Sequence, residues 1–413
     1  MLYLSRMLYR LEIENFYSFK EPQIIDLRVA ANVPNDPERF APIYPGCAER
    51  APKVVAIFGA NGSGKSTVLK ALAFLAWFLG SSFQHAGKAL PCEKFNHAET
   101  IDRPIRLAVE LGGTADLNFS ATNSGQLGLD YCYYRYELEL SGGNGQVTTV
   151  MREVLSQKRG AGKKWARVFD RSADKAFRDS KAFSLTRFSN VIDKIRPNAS
   201  AVATLAEFEH GPAKTLAAIT ARVFRNILTD RFDLSDPGAV QYLAQNPSIL
   251  EALNRELPRI DVGVEQMQIA QTANGPIALF KHGGLTLDMP MGLESHGTRS
   301  FIRTFPYIFL ALNSGGVAII DELDLAIHAL VLPEVVRWYY DELRNKHSAQ
   351  LWMSCHAASL LDDLVKEEIL FCEKDREGRS KVYRLADVQS VRRGDNFYKK
   401  YLGGIYGAVP QIG

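Results

Sequence analysis

The chain has 413 residues, of which 46% are hydrophobic and 23% are charged, and its formal net charge is +3 at pH 7. This composition excludes a disordered chain and a fibrous protein, and the length allows one large domain or two of ordinary size. The small net charge does not by itself indicate a nucleic-acid partner.

Export and membrane insertion are not expected. The longest apolar run, residues 68–79, contains Lys70 and is shorter than the roughly 18 to 20 residues that span a bilayer, so it predicts a buried helix. Glu12 and Glu14 precede any apolar segment of signal-peptide length. We therefore expect a cytoplasmic protein without a membrane partner. The cysteines form no CxxC pair and are expected to be reduced thiols in or near the core: Cys47, Cys92, Cys132, Cys355 and Cys372.

The first part of the chain, residues 1–157, predicts a lobe built on sheets. Residues 10–25 begin with an apolar and polar alternation typical of a half-buried strand. A proline-rich loop, a continuous apolar strand at 54–58, a glycine loop and an apolar helix from Ser66 follow. Three further alternating segments, separated by glycine and asparagine turns, predict an antiparallel β-subdomain: 105–111, 131–140 and 147–155.

The middle part, residues 158–277, shows helical periodicity and predicts a mainly α-helical insertion. The overlapping stretch 151–200 has 13 lysines and arginines against 5 acidic residues. This excess leaves nucleic-acid contact open, the alternative being a solvated charged surface.

The last part, residues 278–413, predicts that an α/β core resumes. Residues 317–320 and 350–353 have the continuous apolar character of buried parallel strands, and a helix is predicted between them at 329–344.

The strongest chemical signal is a complete GxxxxGK[ST] motif at 59–66, placed between a predicted strand and a predicted helix. Its glycines let backbone N–H groups curl around phosphates, its lysine reaches the β and γ phosphates, and its hydroxyl can bind Mg²⁺. The motif predicts ATP and Mg²⁺ as ligands. The residues expected to bind them are Gly59, Asn61, Gly62, Ser63, Gly64, Lys65, Ser66 and Thr67.

A second motif supplies two carboxylates. Residues 317–320 are apolar and are followed by Asp321 and Glu322, the pattern of a Walker B strand. Asp321 is expected to join Ser66 in holding Mg²⁺, and Glu322 to orient or deprotonate the attacking water, because phosphoryl transfer needs an in-line nucleophile.

A third group lies around the second motif. Residues 294–298 (GluSerHisGlyThr) precede it, residues 323–328 (LeuAspLeuAlaIleHis) follow it, and His356 ends the next apolar strand. In order and spacing these segments resemble the signature, D-loop and switch histidine of ABC-type ATPases. The resemblance implies that Ser295 and Gly297 cap the γ-phosphate bound to a second copy, that Asp324 belongs to the D-loop, and that His356 acts with Lys65 and Glu322 in catalysis. It implies a homodimer or higher homo-oligomer. The predicted fold class is α/β, a P-loop NTPase of the ABC-ATPase head type with a mixed sheet, an antiparallel β-subdomain and an α-helical insertion.

The arrangement of motifs resembles the heads of SMC-like and OLD-like ATPases, although the middle segment is too short and lacks the heptads of a long coiled coil. Segments 11–20, 59–66, 294–298, 319–328 and 401–410 resemble AAA family ATPases of bacterial anti-phage systems, of the abortive-infection type L and RloA-like kinds. That resemblance implies an ATPase that controls a partner effector, often a nuclease, encoded beside it. The Q-loop is not identified, and residues 90–96 stand where it is expected.

Three functions stay open. The first is a regulated defence ATPase, the second an SMC-like DNA repair or chromosome ATPase that binds DNA directly, and the third a nucleotide-gated scaffold with little hydrolysis. The presence of Lys65, Asp321, Glu322 and His356 favours an enzyme with slow ATP hydrolysis.

Overall fold

The computed structural model describes residues 7–118, 130–143, 145–174, 176–260, 263–327 and 331–409. The strands are β1 (Leu8–Glu14), β2 (Gln23–Asp26), β3 (Phe40–Pro42), β4 (Arg50–Pro52), β5 (Val54–Phe58), β6 (Ile105–Thr114), β7 (Tyr131–Ser141), β8 (Thr149–Lys158), β9 (Ala166–Ser172), β10 (Phe177–Asp179), β11 (Val223–Arg225), β12 (Val264–Thr272), β13 (Gly275–His282), β14 (Met289–Pro290), β15 (Val317–Ile320), β16 (Gln350–Ser354), β17 (Ile369–Lys374) and β18 (Ser380–Arg384).

The helices are α1 (Lys65–Ser81), α2 (Ser189–Ile192), α3 (Ala201–Glu207), α4 (Gly211–Thr220), α5 (Asp236–Gln245), α6 (Pro247–Ile260), α7 (His296–Ser314), α8 (Leu323–Ala326), α9 (Leu332–Tyr340) and α10 (Phe397–Leu402). The mixed α/β class predicted from the sequence is confirmed by these elements and by the sheets they form.

The central sheet has the order β11-β15-β16-β5-β17-β18. Its first five strands run parallel, and β18 pairs antiparallel with β17 at one edge. The strand that precedes the glycine loop, β5, therefore lies between two strands from the last part of the chain. Because parallel strands end at the same edge, the glycine loop and the residues that follow β15 and β16 are brought to one side of the sheet.

A second sheet, of order β10-β9-β8-β7-β6-β1-β2, is antiparallel throughout. It contains the three alternating segments of the first lobe, so the predicted antiparallel β-subdomain is confirmed. Two smaller sheets, β12-β13-β14 and β3-β4, complete the described strands.

The core lies on both faces of the central sheet. Every residue of β5 is buried: Val55 and Ile57 face one hydrophobic cluster, and Val54, Ala56 and Phe58 face another. Burial on both faces explains why this strand is a continuous apolar run rather than an alternating one. The first cluster joins α1 to the antiparallel sheet, and the second includes α7 and α9.

Helix α1 is part of that core. Judged by length and composition alone, the segment Lys65–Gln84 is long and apolar enough to cross a membrane. No other helix in the described part of the chain meets these two criteria. The helix nevertheless begins at the glycine loop, and most of its side chains from Val68 to Phe78 pack into the first cluster. The prediction of a buried helix is confirmed. The free cysteines are buried, apart from the half-buried Cys47.

The predicted helical insertion at 158–277 is not a separate helical unit. Strands β9 and β10 extend the antiparallel sheet, β11 joins the central sheet, and the boundary at 277 falls inside β13. The helical periodicity corresponds to helices α2 to α6. The short edge strand β11, in contrast, is stabilised by pairing with β15, and the local sequence pattern does not reveal this pairing.

Candidate nucleotide-binding site

The loop between β5 and α1 is shaped by glycines. Gly59, Gly62 and Gly64 have φ angles of 149°, 73° and 110°, in the region that glycine favours. A Cβ atom on Gly59 would lie 2.3 Å from the carbonyl oxygen of Cys372, and one on Gly64 would lie 2.8 Å from Ser380 Oγ. No side chain caps the start of α1. Its first N–H groups are therefore available to an anion such as a phosphate.

Lys65 lies across this loop. Its Nζ donates to the carbonyl oxygens of Gly59 and Ala60 at 2.9 and 3.0 Å. Burial lowers the pKa of the Lys65 ammonium. Phosphate oxygens would offer the same group stronger acceptors and a compensating charge.

A cavity of about 970 Å³ opens beside the loop. The predicted residues from Asn61 to Thr67 line it, together with Glu322 and His356. The sequence did not identify several other lining residues, which come from the β1–β2 turn and the β17–β18 hairpin: Tyr17, Ser18, Lys374 and Glu377. Glu93, Lys94, Phe95 and Asn96 also line the cavity, and they belong to the segment where the Q-loop was expected.

Ser66 and Asp321 meet at the end of the central sheet. Ser66 Oγ donates to Asp321 Oδ1 at 3.0 Å, and Ser354 Oγ donates to the same oxygen at 2.6 Å. Burial raises the pKa of Asp321. A hydroxyl and a carboxylate fit Mg²⁺, which prefers oxygen ligands and keeps water or phosphate in its other positions. Within the described residues no three His, Cys, Asp or Glu side chains cluster as a metal site.

The backbone of Asp321 is held by a residue that sequence reasoning missed. Asn226, directly after β11, accepts from Asp321 N at 2.7 Å and donates to Asp321 O at 3.2 Å. Asn226 is 1% exposed. The Asn226 side-chain amide thus pairs with both the backbone N–H and the backbone carbonyl of Asp321. This pairing fixes the backbone position from which the Asp321 carboxylate projects.

Glu322 stands in a left-handed backbone conformation, with φ of 53°. Such a conformation is uncommon for a residue with a Cβ, and it is held here by a hydrogen bond from Glu322 N to Ser354 Oγ of 2.7 Å. The Glu322 carboxylate accepts from Arg231 Nη1 at 2.7 Å through Oε2, while Oε1 lies 3.8 Å from His356 Nε2.

Asp324 links the segment after β15 to the segment after β16. Its Oδ2 accepts from the backbone N–H groups of His356 and Ala357 at 3.0 and 3.1 Å. Its Oδ1 is buried without a hydrogen-bond partner. The predicted D-loop aspartate therefore holds the backbone of the predicted switch histidine within the same chain. His328 and Pro410, also used in the resemblance, lie outside the described residues.

Ser295 and Gly297 do not reach this cavity. Ser295 caps α7, accepting from Thr298 N at 3.1 Å through Oγ, and both Ser295 and Gly297 are exposed. Neither is among the described residues that line the cavity. The structure therefore brings Lys65, Ser66, Asp321, Glu322 and His356 together and leaves the predicted signature on the surface.

One family model matches part of the chain. Residues 10–194, which include the glycine loop, match a family described as an AAA domain. No curated protein matches the sequence.

Three solved structures are similar at low identity. An SMC head domain from Thermotoga maritima is 12% identical, with a TM-score of 0.38, over 91% of this chain and 98% of that chain. An SMC head bound to the C-terminal winged-helix domain of ScpA is 14% identical, with a TM-score of 0.41, over 91% and 97%. An SMC head with an extended coiled coil, bound to the C-terminal domain of ScpA, derives from Pyrococcus furiosus and is 12% identical, with a TM-score of 0.44, over 92% and 96%.

The chain thus has a mixed α/β fold with a phosphate-type glycine loop at one edge of a mostly parallel sheet, and the segment that carries this loop is similar to AAA domains.

Proposed function

We propose that the protein binds ATP with Mg²⁺ and hydrolyses it slowly in a dimer of two copies. One observation carries this proposal. Lys65, Glu322 and His356 contact one cavity beside the paired Ser66 and Asp321, whereas Ser295 and Gly297 are exposed away from it. A site that lacks its γ-phosphate cap in one subunit is completed when a second copy supplies Ser295 and Gly297.

The residues divide the chemistry among them. Backbone N–H groups of the glycine loop and the Lys65 ammonium bind the phosphates and stabilise charge that develops on the γ-phosphoryl oxygens. Ser66 and Asp321 would hold Mg²⁺, which neutralises phosphate charge when bound. Glu322 orients a water in line with the bond to the leaving β-phosphate oxygen and takes its proton. His356, close to Oε1 of Glu322, contacts the same region of the cavity.

We further propose that the dimer controls a nuclease-like partner effector in bacterial anti-phage defence. The support is the sequence resemblance in segments 11–20, 294–298 and 401–410. A nuclease-like gene beside the gene for this protein is the expected finding, and neighbours devoted to DNA repair would favour the alternative below.

The alternative is an SMC-like ATPase that binds DNA directly, and one surface favours it. Around the β8–β9 turn, Lys158 Nζ lies 5.0 Å from the ring centroid of Trp165, which is 37% exposed. Three further cations there are exposed: Arg159, Lys163 and Lys164. Cations interleaved with an aromatic ring suit a phosphate backbone. Salt-sensitive DNA binding that is lost in Lys163→Glu/Lys164→Glu, together with ATP turnover that rises with DNA, would support this function.

The test of the main proposal is the mass in solution of Glu322→Gln, with and without ATP and Mg²⁺. Glutamine keeps the shape of the side chain but does not accept the proton, so bound ATP should persist and trap the dimer. We expect a rise from 46.0 kDa to about twice that value on adding ATP. Adding Lys65→Ala should abolish nucleotide binding and with it the rise.

A mass that stays at one subunit with ATP bound would refute the dimer. An assembly that is constant with and without ATP would favour the scaffold. Wild-type turnover no higher than that of Glu322→Gln would refute hydrolysis at this site.

A further inference from the structure

The turn after β11 is fastened to the end of the Walker B strand. Within it, Ile227 and Arg231 form an isolated antiparallel bridge, and Phe232 N donates to Asn226 O at 2.7 Å. The Asn226 side chain forms two hydrogen bonds with the backbone of Asp321. This turn therefore keeps a fixed position relative to the carboxylates that follow β15.

Arg231 projects from this turn onto the carboxylate of Glu322. Its Nη1 lies 2.7 Å from Glu322 Oε2, and its Nη2 lies 2.9 Å from Asp233 Oδ2. The Arg231 side chain is 22% exposed and that of Glu322 is 34% exposed. Asp233 accepts from two nitrogens of the guanidinium, Nη2 and, at 3.4 Å, Nε, so the third nitrogen, Nη1, is held towards Glu322.

Arg231 approaches the Glu322 carboxylate from the side away from the cavity. Glu322 lines the cavity, and Arg231 is not among the described residues that do. The guanidinium thus reaches Oε2 from outside the cavity, and Oε1 is the oxygen that lies nearer His356. Since the two oxygens of a carboxylate are joined rigidly through one carbon, anchoring Oε2 restricts the positions that Oε1 can take.

We propose that Arg231 is a positioning residue for ATP hydrolysis, which holds Glu322 so that Oε1 is presented to the attacking water. The inference rests on the proposed function and adds a third group to it: a nucleophile activated by a base, and a base oriented by a fixed partner. Glu322 needs such a partner because its backbone is in a left-handed conformation and its side chain has three rotatable bonds. An ion pair that instead kept Glu322 idle would have the opposite effect on rate when broken.

The experiment compares steady-state ATP hydrolysis by wild-type protein, Arg231→Gln and Arg231→Lys. Arg231→Gln should lower kcat about 10- to 100-fold, below the full contribution of a general base, because the carboxylate remains but is no longer fixed. Its KM and its affinity for ATP should stay within about twofold, since Arg231 does not line the cavity. Arg231→Lys should recover part of kcat, because a lysine can still donate to Oε2.

Two controls separate positioning from folding. Arg152→Gln removes a guanidinium that pairs with Asp170 on the antiparallel sheet, and it should leave kcat unchanged. The double variant Glu322→Gln/Arg231→Gln should be no slower than Glu322→Gln alone, because the effect of Arg231 passes through the Glu322 carboxylate.

The outcomes are distinct. A kcat of Arg231→Gln within twofold of wild type, or above it, would overturn the positioning role, and so would a further loss of rate in the double variant. Should Arg231→Gln fail to fold, Arg231→Lys is the variant to measure, and its kcat should lie below that of the wild-type protein. A double Arg231→Lys/Asp233→Asn variant also removes the partner that holds the cation. Wild-type kcat and KM in this double variant would contradict the inference. Absence of turnover in the wild-type protein would instead refute the proposed function.

Discussion

A buried carboxylate in the antiparallel sheet allows a stability prediction of known sign. Glu153 on β8 is 0% exposed. It accepts hydrogen bonds from Tyr136 OH at 2.9 Å, Ser200 Oγ at 2.7 Å and Ala201 N at 2.9 Å, and pairs with Arg171 Nη1 at 3.2 Å. Through these contacts Glu153 joins the sheet to the start of α3, which packs on α1. The prediction therefore concerns the support beneath the helix that starts at the glycine loop.

Glu153→Leu should lower the free energy of unfolding by about 3 to 5 kcal/mol, because it leaves the buried Arg171 guanidinium without its counter-charge and leaves two hydroxyls and the Ala201 N–H without their acceptor. Replacing both partners, in Glu153→Leu/Arg171→Met, should recover a large part of that loss, since no unpaired charge then stays in the core. Urea unfolding followed by far-UV circular dichroism measures both values. A loss below about 1 kcal/mol in Glu153→Leu, or a double variant as unstable as the sum of the single ones, would refute the reasoning.

Two further predictions address the glycine loop and pH. Gly59→Ala should weaken binding of a fluorescent ATP analogue at least tenfold, because its new Cβ would lie 2.3 Å from Cys372 O. The control Gly162→Ala, whose new Cβ meets open space, should bind the analogue with wild-type affinity. Equal affinities of the two variants would contradict the steric argument. Burial raises the pKa of Glu368 from its ordinary value of 4.5 to about 7, against the lowering effect of Arg39, so the folded state keeps a proton that the unfolded chain loses between these pH values. The free energy of unfolding should therefore fall by about 3 kcal/mol as pH rises from 4.5 to 7, and Glu368→Gln should flatten that part of the profile in thermal melts; an unchanged profile would refute the shift.

Part of the site can be predicted from the local sequence. The glycine loop at 59–64 follows an apolar strand and precedes an apolar helix, and the glycines stand where φ angles are positive. Strand β15 was predicted with its bounds, since four apolar residues ending in two carboxylates are distinctive within a short window. These features could be predicted because their causes, backbone sterics and two-sided burial, act on neighbouring residues.

Other contributions depend on pairing across the chain. β11 has only three residues, each half-buried, and stands inside a stretch with helical periodicity. Its pairing with β15 carries Asn226 to the backbone of Asp321 and Arg231 to the carboxylate of Glu322, contacts that span 95 and 91 residues of sequence. Their positions around the site could not be predicted from local pattern, because the free energy that places them comes from tertiary pairing.

The sequence by itself determined the phosphate loop, the two carboxylates and the mixed α/β class, because each depends on the order of neighbouring residues. Only the tertiary structure decided which residues surround those groups, that the middle segment adds strands to the central and the antiparallel sheet, and that Ser295 and Gly297 lie away from the cavity. The physical reason is that sheet pairing and burial join segments distant in sequence, and local patterns do not record the partner.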